Sequence, residues 1–212
     1  MVYPIARRVL PLLFKLWLRD VKGLNNLPAG PFIACMNHSS FIDDLLIPLI
    51  IVPEVNRNMC MYVNRKFFNN AIVRTFLNWG NSIPVEVYKA PDKKQVNEKA
   101  FNNALTHLKK GEIIGIYPEG HRSKDGKLQR ARNGAAKLAL TANVPIVPIA
   151  ITGSREVLPK GVALPKLKKC ITVTIGAPLT LKEASLSQQA LTNSTRKIMK
   201  SIAALLGQEY NF

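Results

Sequence analysis

Six short apolar runs, rich in Ile and Val and for the most part continuous rather than alternating with polar residues, recur along the chain at 31–37, 59–63, 82–87, 112–118, 144–151 and 170–176. A strand with one wet face alternates apolar and polar residues. A continuous apolar run is buried on both faces, as when helices cover both sides of a parallel sheet. Between the runs lie stretches with helical patterning at 43–51, 65–79, 92–109, 134–143 and 186–206. This alternation predicts one α/β domain with a mixed, mostly parallel sheet flanked by helices. No repeat, low-complexity tract or linker divides the 212 residues, a length that buries a substantial core without disulfides. The segment "PKGVALPKLKK" is expected to be a surface insertion.

Ahead of the first run, "MVYPIARRVLPLLFKLWLRD" places Arg8, Lys15 and Arg19 on one side of a helical wheel and Leu10, Leu13, Phe14 and Trp17 on the other. Residues 1–22 are therefore expected to form an amphipathic helix, followed by the main domain at 23–212. Such a helix suits a membrane interface, with cations against lipid phosphates; it equally suits packing on its own domain. Lys15 interrupts the apolar stretch, so no membrane span is expected, and no small-residue cleavage site marks a signal peptide. The three cysteines, Cys35, Cys60 and Cys170, match no metal spacing and are expected to be reduced core residues. Thirty Lys and Arg against thirteen acids give a net charge of +17. That excess calls for an anionic partner: nucleic acid, a phospholipid surface or an acidic carrier protein. Two tryptophans, no zinc spacing and no basic-aromatic signature weigh against nucleic acid.

Ligands of open α/β sheets gather at the carboxyl ends of strands. Three polar clusters are expected there: "NHSSFIDD" (37–44), "EVYK" (86–89) and "EGHRS" (119–123). In the first, Asp43 can accept from one nitrogen of His38, fix its tautomer and leave the other nitrogen to take a proton from a hydroxyl. General-base catalysis of this kind is worth ~10²–10⁴-fold. In the plainer alternative, Asp43 or Ser40 caps a helix and His38 is a loop residue. Asp44 is expected to serve the helix dipole only. No G-x-S-x-G elbow supports a serine nucleophile, and the odd offset sends Cys35 to the opposite face from His38. In the third cluster Arg122 offers a planar fork suited to phosphate, with Glu119 holding it or a substrate hydroxyl, or else the two form an ordinary surface ion pair. His107 and His121 are assigned no role.

Taken together, "NHSSFIDD" and "YPEGHRS" resemble the N-H-x-S-x-x-D and F-P-E-G-T-R-S blocks of the glycerolipid acyltransferase superfamily, which includes the lysophosphatidic acid acyltransferases. "GNSIPVEV" is similar to the intermediate block and "VPIVPIAI" to the fourth, across roughly residues 20 to 180. The resemblance implies the glycerol-3-phosphate acyltransferase-like fold and transfer of a fatty acyl group to a lysophospholipid, lysophosphatidic acid giving phosphatidic acid. The donor would be an acyl carrier protein or coenzyme A thioester, with no further cofactor and no metal. His38 carries over as general base, Asp43 as its partner, and Glu119, Gly120, Arg122 and Ser123 as the acceptor-binding block. Where the family's intermediate block ends in arginine this chain has Val87, and Lys89 is the nearest substitute. The resemblance also implies a peripheral protein at the cytoplasmic face of an anionic membrane, with no nucleic-acid partner.

Overall fold

A computed structural model describes residues 14–159, 161–162 and 164–212. All six apolar runs form strands: β2 (Ile33–Met36), β3 (Met59–Asn64), β4 (Ile83–Val85), β5 (Ile113–Ile116), β6 (Ile146–Thr152) and β7 (Ile171–Ile175). A further strand, β1 (Leu18–Lys22), precedes them. The seven strands make one sheet in the order β1-β7-β6-β2-β5-β3-β4. Strands β2 to β6 run parallel, β7 is antiparallel to β6, and β1 is parallel to β7.

The mostly continuous apolar runs have a direct cause. Successive residues of β2 enter different cores: Ala34 and Met36 pack on one face with Val147, Ile149 and Leu46, while Ile33 and Cys35 pack on the other with Ile114, Ile116 and Leu138. The first face is covered by α1 (Ile42–Val55) and the second by α3 (Lys93–Lys109), α4 (Gly134–Ala142) and α6 (Gln188–Leu206). Two shorter helices, α2 (Ala71–Trp79) and α5 (Ser154–Val157), complete the set among the described residues. Residues 65–70, predicted as the start of one helix with α2, instead hold a separate 3-10 turn at Arg65–Asn69. Asn70 then caps α2 by accepting from the Ile72 and Val73 amides.

The N-terminal expectation needs correction where it can be compared. Leu18–Lys22 is an edge strand, not the end of a helix, and residues 1–13 lie outside the described residues. Leu18 and Val21 stand three apart, which fits a helical stripe, but pairing with β7 decides the matter by satisfying its outer edge. The sheet domain thus begins before the boundary expected at residue 23. The described residues between α5 and β7 lie at the surface as expected, with Leu164 and Leu167 about four-fifths exposed. Cys35 and Cys60 are buried and Cys170 half-buried, all three as free thiols.

Candidate active site

The parallel strands β2, β5 and β6 deliver their carboxyl ends to one place. Asn37, just past β2, continues the ladder with its side chain: Nδ2 donates to the Ile151 carbonyl at 2.9 Å and Oδ1 accepts from the Ile151 amide at 2.7 Å. The chain then leaves the sheet at His38. Asp43, fully buried in the first turn of α1, folds back beneath that turn. Its Oδ2 accepts from His38 Nδ1 at 3.1 Å, from the Ser39 amide at 2.9 Å and from the Ser40 amide at 2.8 Å. A carboxylate only accepts, so Nδ1 carries the proton and Nε2 is left basic on the side of the cleft that His38 lines.

The loop after β5 grips the backbone of His38 from both sides. Glu119 Oε1 accepts the His38 amide at 3.2 Å, and the Ser123 amide donates to the His38 carbonyl at 2.8 Å. The other Glu119 oxygen accepts the Gln129 amide at 2.8 Å. Glu119 is 2% exposed, and burial pushes its carboxyl up to about 7. With both oxygens on backbone amides it does not hold Arg122 or face the cleft, as its position in the block predicts; it braces the backbone of His38. Ser123 is likewise inward, tying Asp125 Oδ1 and the Gly126 amide within its own turn. The serine hydroxyls of the first block are also spent on structure, Ser39 against Ser154 and Ser40 donating to the Leu158 carbonyl.

Gly120 and Arg122 do line the cleft, a cavity of about 280 Å³ shared with His38, Asp44, Lys66, Tyr117 and Arg132. Gly120 has φ of +75°, and a Cβ there would stand 3.2 Å from Arg132 Nε, so glycine serves both the turn and the arginine beneath it. The Arg122 guanidinium lies over the Phe41 ring, 3.5 Å from its centroid, with Nη1 unpartnered. Lys89 is exposed and is not part of the cleft wall. The cation beside Val87 is Arg132, whose Nη2 donates to the Val87 carbonyl at 2.7 Å.

Four residues at the site were not assigned from sequence. Tyr117 stacks its ring on His38. Asp44 lines the cleft rather than merely facing the helix dipole, and burial pushes its carboxyl up to about 6. Lys66 and Arg132 supply cleft cations from basic stretches in which no single residue was assigned to the site. A second cavity, of about 310 Å³ and almost wholly apolar in its walls, adjoins the first at Phe41, Asp44, Val63 and Phe67. Leu49, Val52, Met59, Met61, Val73 and Phe76 extend it between α1, α2 and the sheet.

Among the described residues, one Cys–His–acid set comes within metal-ligand reach, Cys60, His107 and Glu112. It is already closed upon itself. His107 pairs with Glu112 Oε2 at 2.5 Å, and Asn58 donates to Oε1 at 2.7 Å. Burial and the Glu112 carboxylate push the Cys60 thiol up to about 12, which keeps it protonated. His107, assigned no role from sequence, is thus a hydrogen-bond partner of Glu112 at the opposite end of the sheet from the cleft.

A family model described as Acyltransferase matches residues 19–152, more than half of the chain, and encloses both blocks of the cleft. This chain belongs to the acyltransferase family. The 1-acyl-sn-glycerol-3-phosphate acyltransferase of Bacillus subtilis (strain 168) is 32% identical over 165 residues, which cover 75% of this acyltransferase and 72% of that protein. The chloroplastic 1-acyl-sn-glycerol-3-phosphate acyltransferase of Brassica napus is 28% identical over 155 residues, 70% of this chain but 41% of the relative. The chain thus spans under half the length of that plant relative. Among solved structures, the crystal structure of the 1-acyl-sn-glycerophosphate acyltransferase from Thermotoga maritima shares the fold with a TM-score of 0.66 at 21% identity. The match covers 91% of this chain and 74% of that one.

Proposed function

We propose that this acyltransferase moves a fatty acyl group from an acyl carrier protein or coenzyme A thioester to the free hydroxyl of a lysophospholipid, with lysophosphatidic acid as the preferred acceptor and phosphatidic acid as product. The observation that carries this reading is the oriented base at the junction of a cationic cleft and an apolar cavity. His38 Nε2 takes the acceptor hydroxyl proton as the oxygen attacks the thioester carbonyl. The C–S bond breaks, and the proton leaves with the thiol. Asp43 holds the tautomer and stabilises the transient imidazolium. A thioester accepts such an attack directly, so no protein nucleophile and no further cofactor are needed.

The apolar cavity suits a hydrocarbon chain, because its walls offer almost no hydrogen-bonding groups. Arg122, Arg132 and Lys66 suit a phosphomonoester near the base, with Arg132 supplying the guanidinium that Val87 does not. The charge of +17 would favour both an acidic carrier and an anionic membrane, and a peripheral site at the cytoplasmic face follows as part of the proposal. The deciding measurement is thiol release and lipid product from a long-chain acyl thioester offered a panel of lysolipids. Phosphatidic acid formed by the purified protein and abolished by His38→Ala is the expected result. Release without lipid product, or turnover unaffected by that substitution, overturns the proposal.

A further inference from the structure

Helix α2 is a well-formed amphipathic helix with nothing buried. Its sequence sets Ile72, Val73, Phe76, Leu77 and Trp79 among Arg74, Thr75 and Asn78, and Asn70 caps its first turn. Yet none of its residues is buried: Ile72 is 83% exposed and Phe76 48%. The tip and first turn of α1 add Phe41 and Leu45, each about two-fifths exposed. An amphipathic helix in a water-facing domain turns its apolar stripe to the core. Here the stripe instead surrounds the mouth of the apolar cavity, since Phe41, Leu45, Val73, Phe76 and Trp79 all line it.

The charge of the same region narrows what can cover it. Within the acid-free interval from 55 to 85, Arg65 is paired with Glu86 and Asp92 and Arg57 donates to the Gly111 carbonyl, which leaves Lys66 and Arg74 as the cations with no carboxylate partner among the described residues. Arg74 makes no ion pair among the described residues, and Lys66 lies over the rings of Phe67 and Tyr88 beside the cleft. The occupant must therefore be apolar within and anionic at its rim, and wide enough to span two helices. An anionic phospholipid bilayer has those properties, and acyl chains lie where the cavity opens.

We propose that α2, with the exposed lip of α1 at Phe41 and Leu45, is a face by which the protein docks on an anionic phospholipid bilayer, so that the apolar cavity opens onto the acyl-chain layer. The entry of a chain by this route rests on the acyl-transfer reading; the docking does not.

The test uses the full chain and vesicles of phosphatidylcholine with or without phosphatidylglycerol. An Ile72→Asp/Arg74→Glu double variant removes an apolar anchor and reverses a charge at positions that line neither cavity. Its partition onto phosphatidylglycerol vesicles is expected to fall at least about tenfold, while turnover of short-chain, monomeric substrates is unchanged. In a Trp17→Phe background Trp79 is the sole tryptophan, and brominated lipid should quench it on binding. Undiminished partition of the double variant, or an unquenched Trp79 on vesicle-bound protein, overturns the proposal. So does loss of binding in Leu164→Ser/Leu167→Ser alone. Absence of acyl transfer from the unmodified protein would overturn the functional reading and leave the vesicle measurements to decide the docking.

Discussion

The imidazole of His38 lies flat on the phenol ring of Tyr117, their centroids 3.9 Å apart and their planes inclined by 16°. Asp43 fixes where the Nδ1 edge points, and Tyr117 fixes the plane in which it points. The Tyr117 hydroxyl is buried beside the Asp44 carboxyl, whose ionised form it favours, and it reaches no part of His38, so the stacked ring rather than the oxygen positions the imidazole. Tyr117→Phe should therefore keep stability and turnover close to the parent. Tyr117→Leu keeps apolar bulk but loses the stack, worth about 0.5–1.5 kcal/mol. Its kcat should fall about 2- to 10-fold with KM little changed. Steady-state kinetics on the two variants check this, and an equal loss in both would assign the role to the hydroxyl.

Tyr117 also marks where the sequence stops being legible. The apolar runs announce their strands, most plainly at β2, β5 and β6, where burial on both faces leaves no choice of residue. What the pattern lacks is register. Only the pairing of Cys35 with Ile116 brings the residues after β2 alongside those after β5. His38 and Asp43 were readable because five positions and one turn separate them. Glu119 was misjudged because a carboxylate at a strand end reads as facing the ligand, whereas the turn at Gly120 leaves it beneath the His38 amide. Arg132 was invisible because its partner carbonyl, Val87, is forty-five residues away. Strand β1 was hidden by a spacing, Leu18 and Val21, that suits a helix as well as an edge strand.

The buried Glu119 gives the fold a pH dependence of defined sign. Its carboxyl ionises near 4.5 in an unfolded chain and at about 7 in the folded protein, chiefly because burial disfavours the charge. The folded state binds this proton more tightly, so stability falls as pH rises from about 4.5 through about 7 and is level above. Glu119→Gln should be less stable by about 1–3 kcal/mol at low pH, since one of two backbone amides loses its acceptor. It should also lose, relative to the parent, on the order of 2–3 kcal/mol less between pH 5 and 7.5. Urea unfolding at those two values measures both effects; parallel pH dependence in parent and variant would contradict the assignment.

The cleft cations predict how headgroup recognition divides. Arg122→Ala and Arg132→Ala should each raise KM for lysophosphatidic acid about tenfold or more, in line with the loss of a charge-assisted hydrogen bond worth roughly 1.5–3 kcal/mol. Monoacylglycerol, which lacks the phosphate, should be turned over as before. Lys89→Ala, exposed and outside the cleft, should change neither acceptor. An effect of Lys89→Ala equal to that of Arg132→Ala would return the missing cation to the intermediate block.

Asp43→Asn separates the two tasks of the acid. An amide oxygen placed where Oδ2 stands can still accept from His38 Nδ1 and from the Ser39 and Ser40 amides, the three hydrogen bonds that shape the turn. The amide nitrogen would then occupy the place of Oδ1, which is buried and unpartnered, so it gains no acceptor there. The variant should fold, with a loss of about 1–3 kcal/mol from that unsatisfied donor. The negative charge that stabilises an imidazolium is gone, and kcat should fall by about 10²–10⁴-fold while KM for both substrates stays within a few fold. Turnover and denaturation measured on one preparation distinguish this from collapse of the turn, which would lower stability much further. A variant that turns over at the parental rate would show that His38 does not become charged on the reaction path, and would remove it from the role of base.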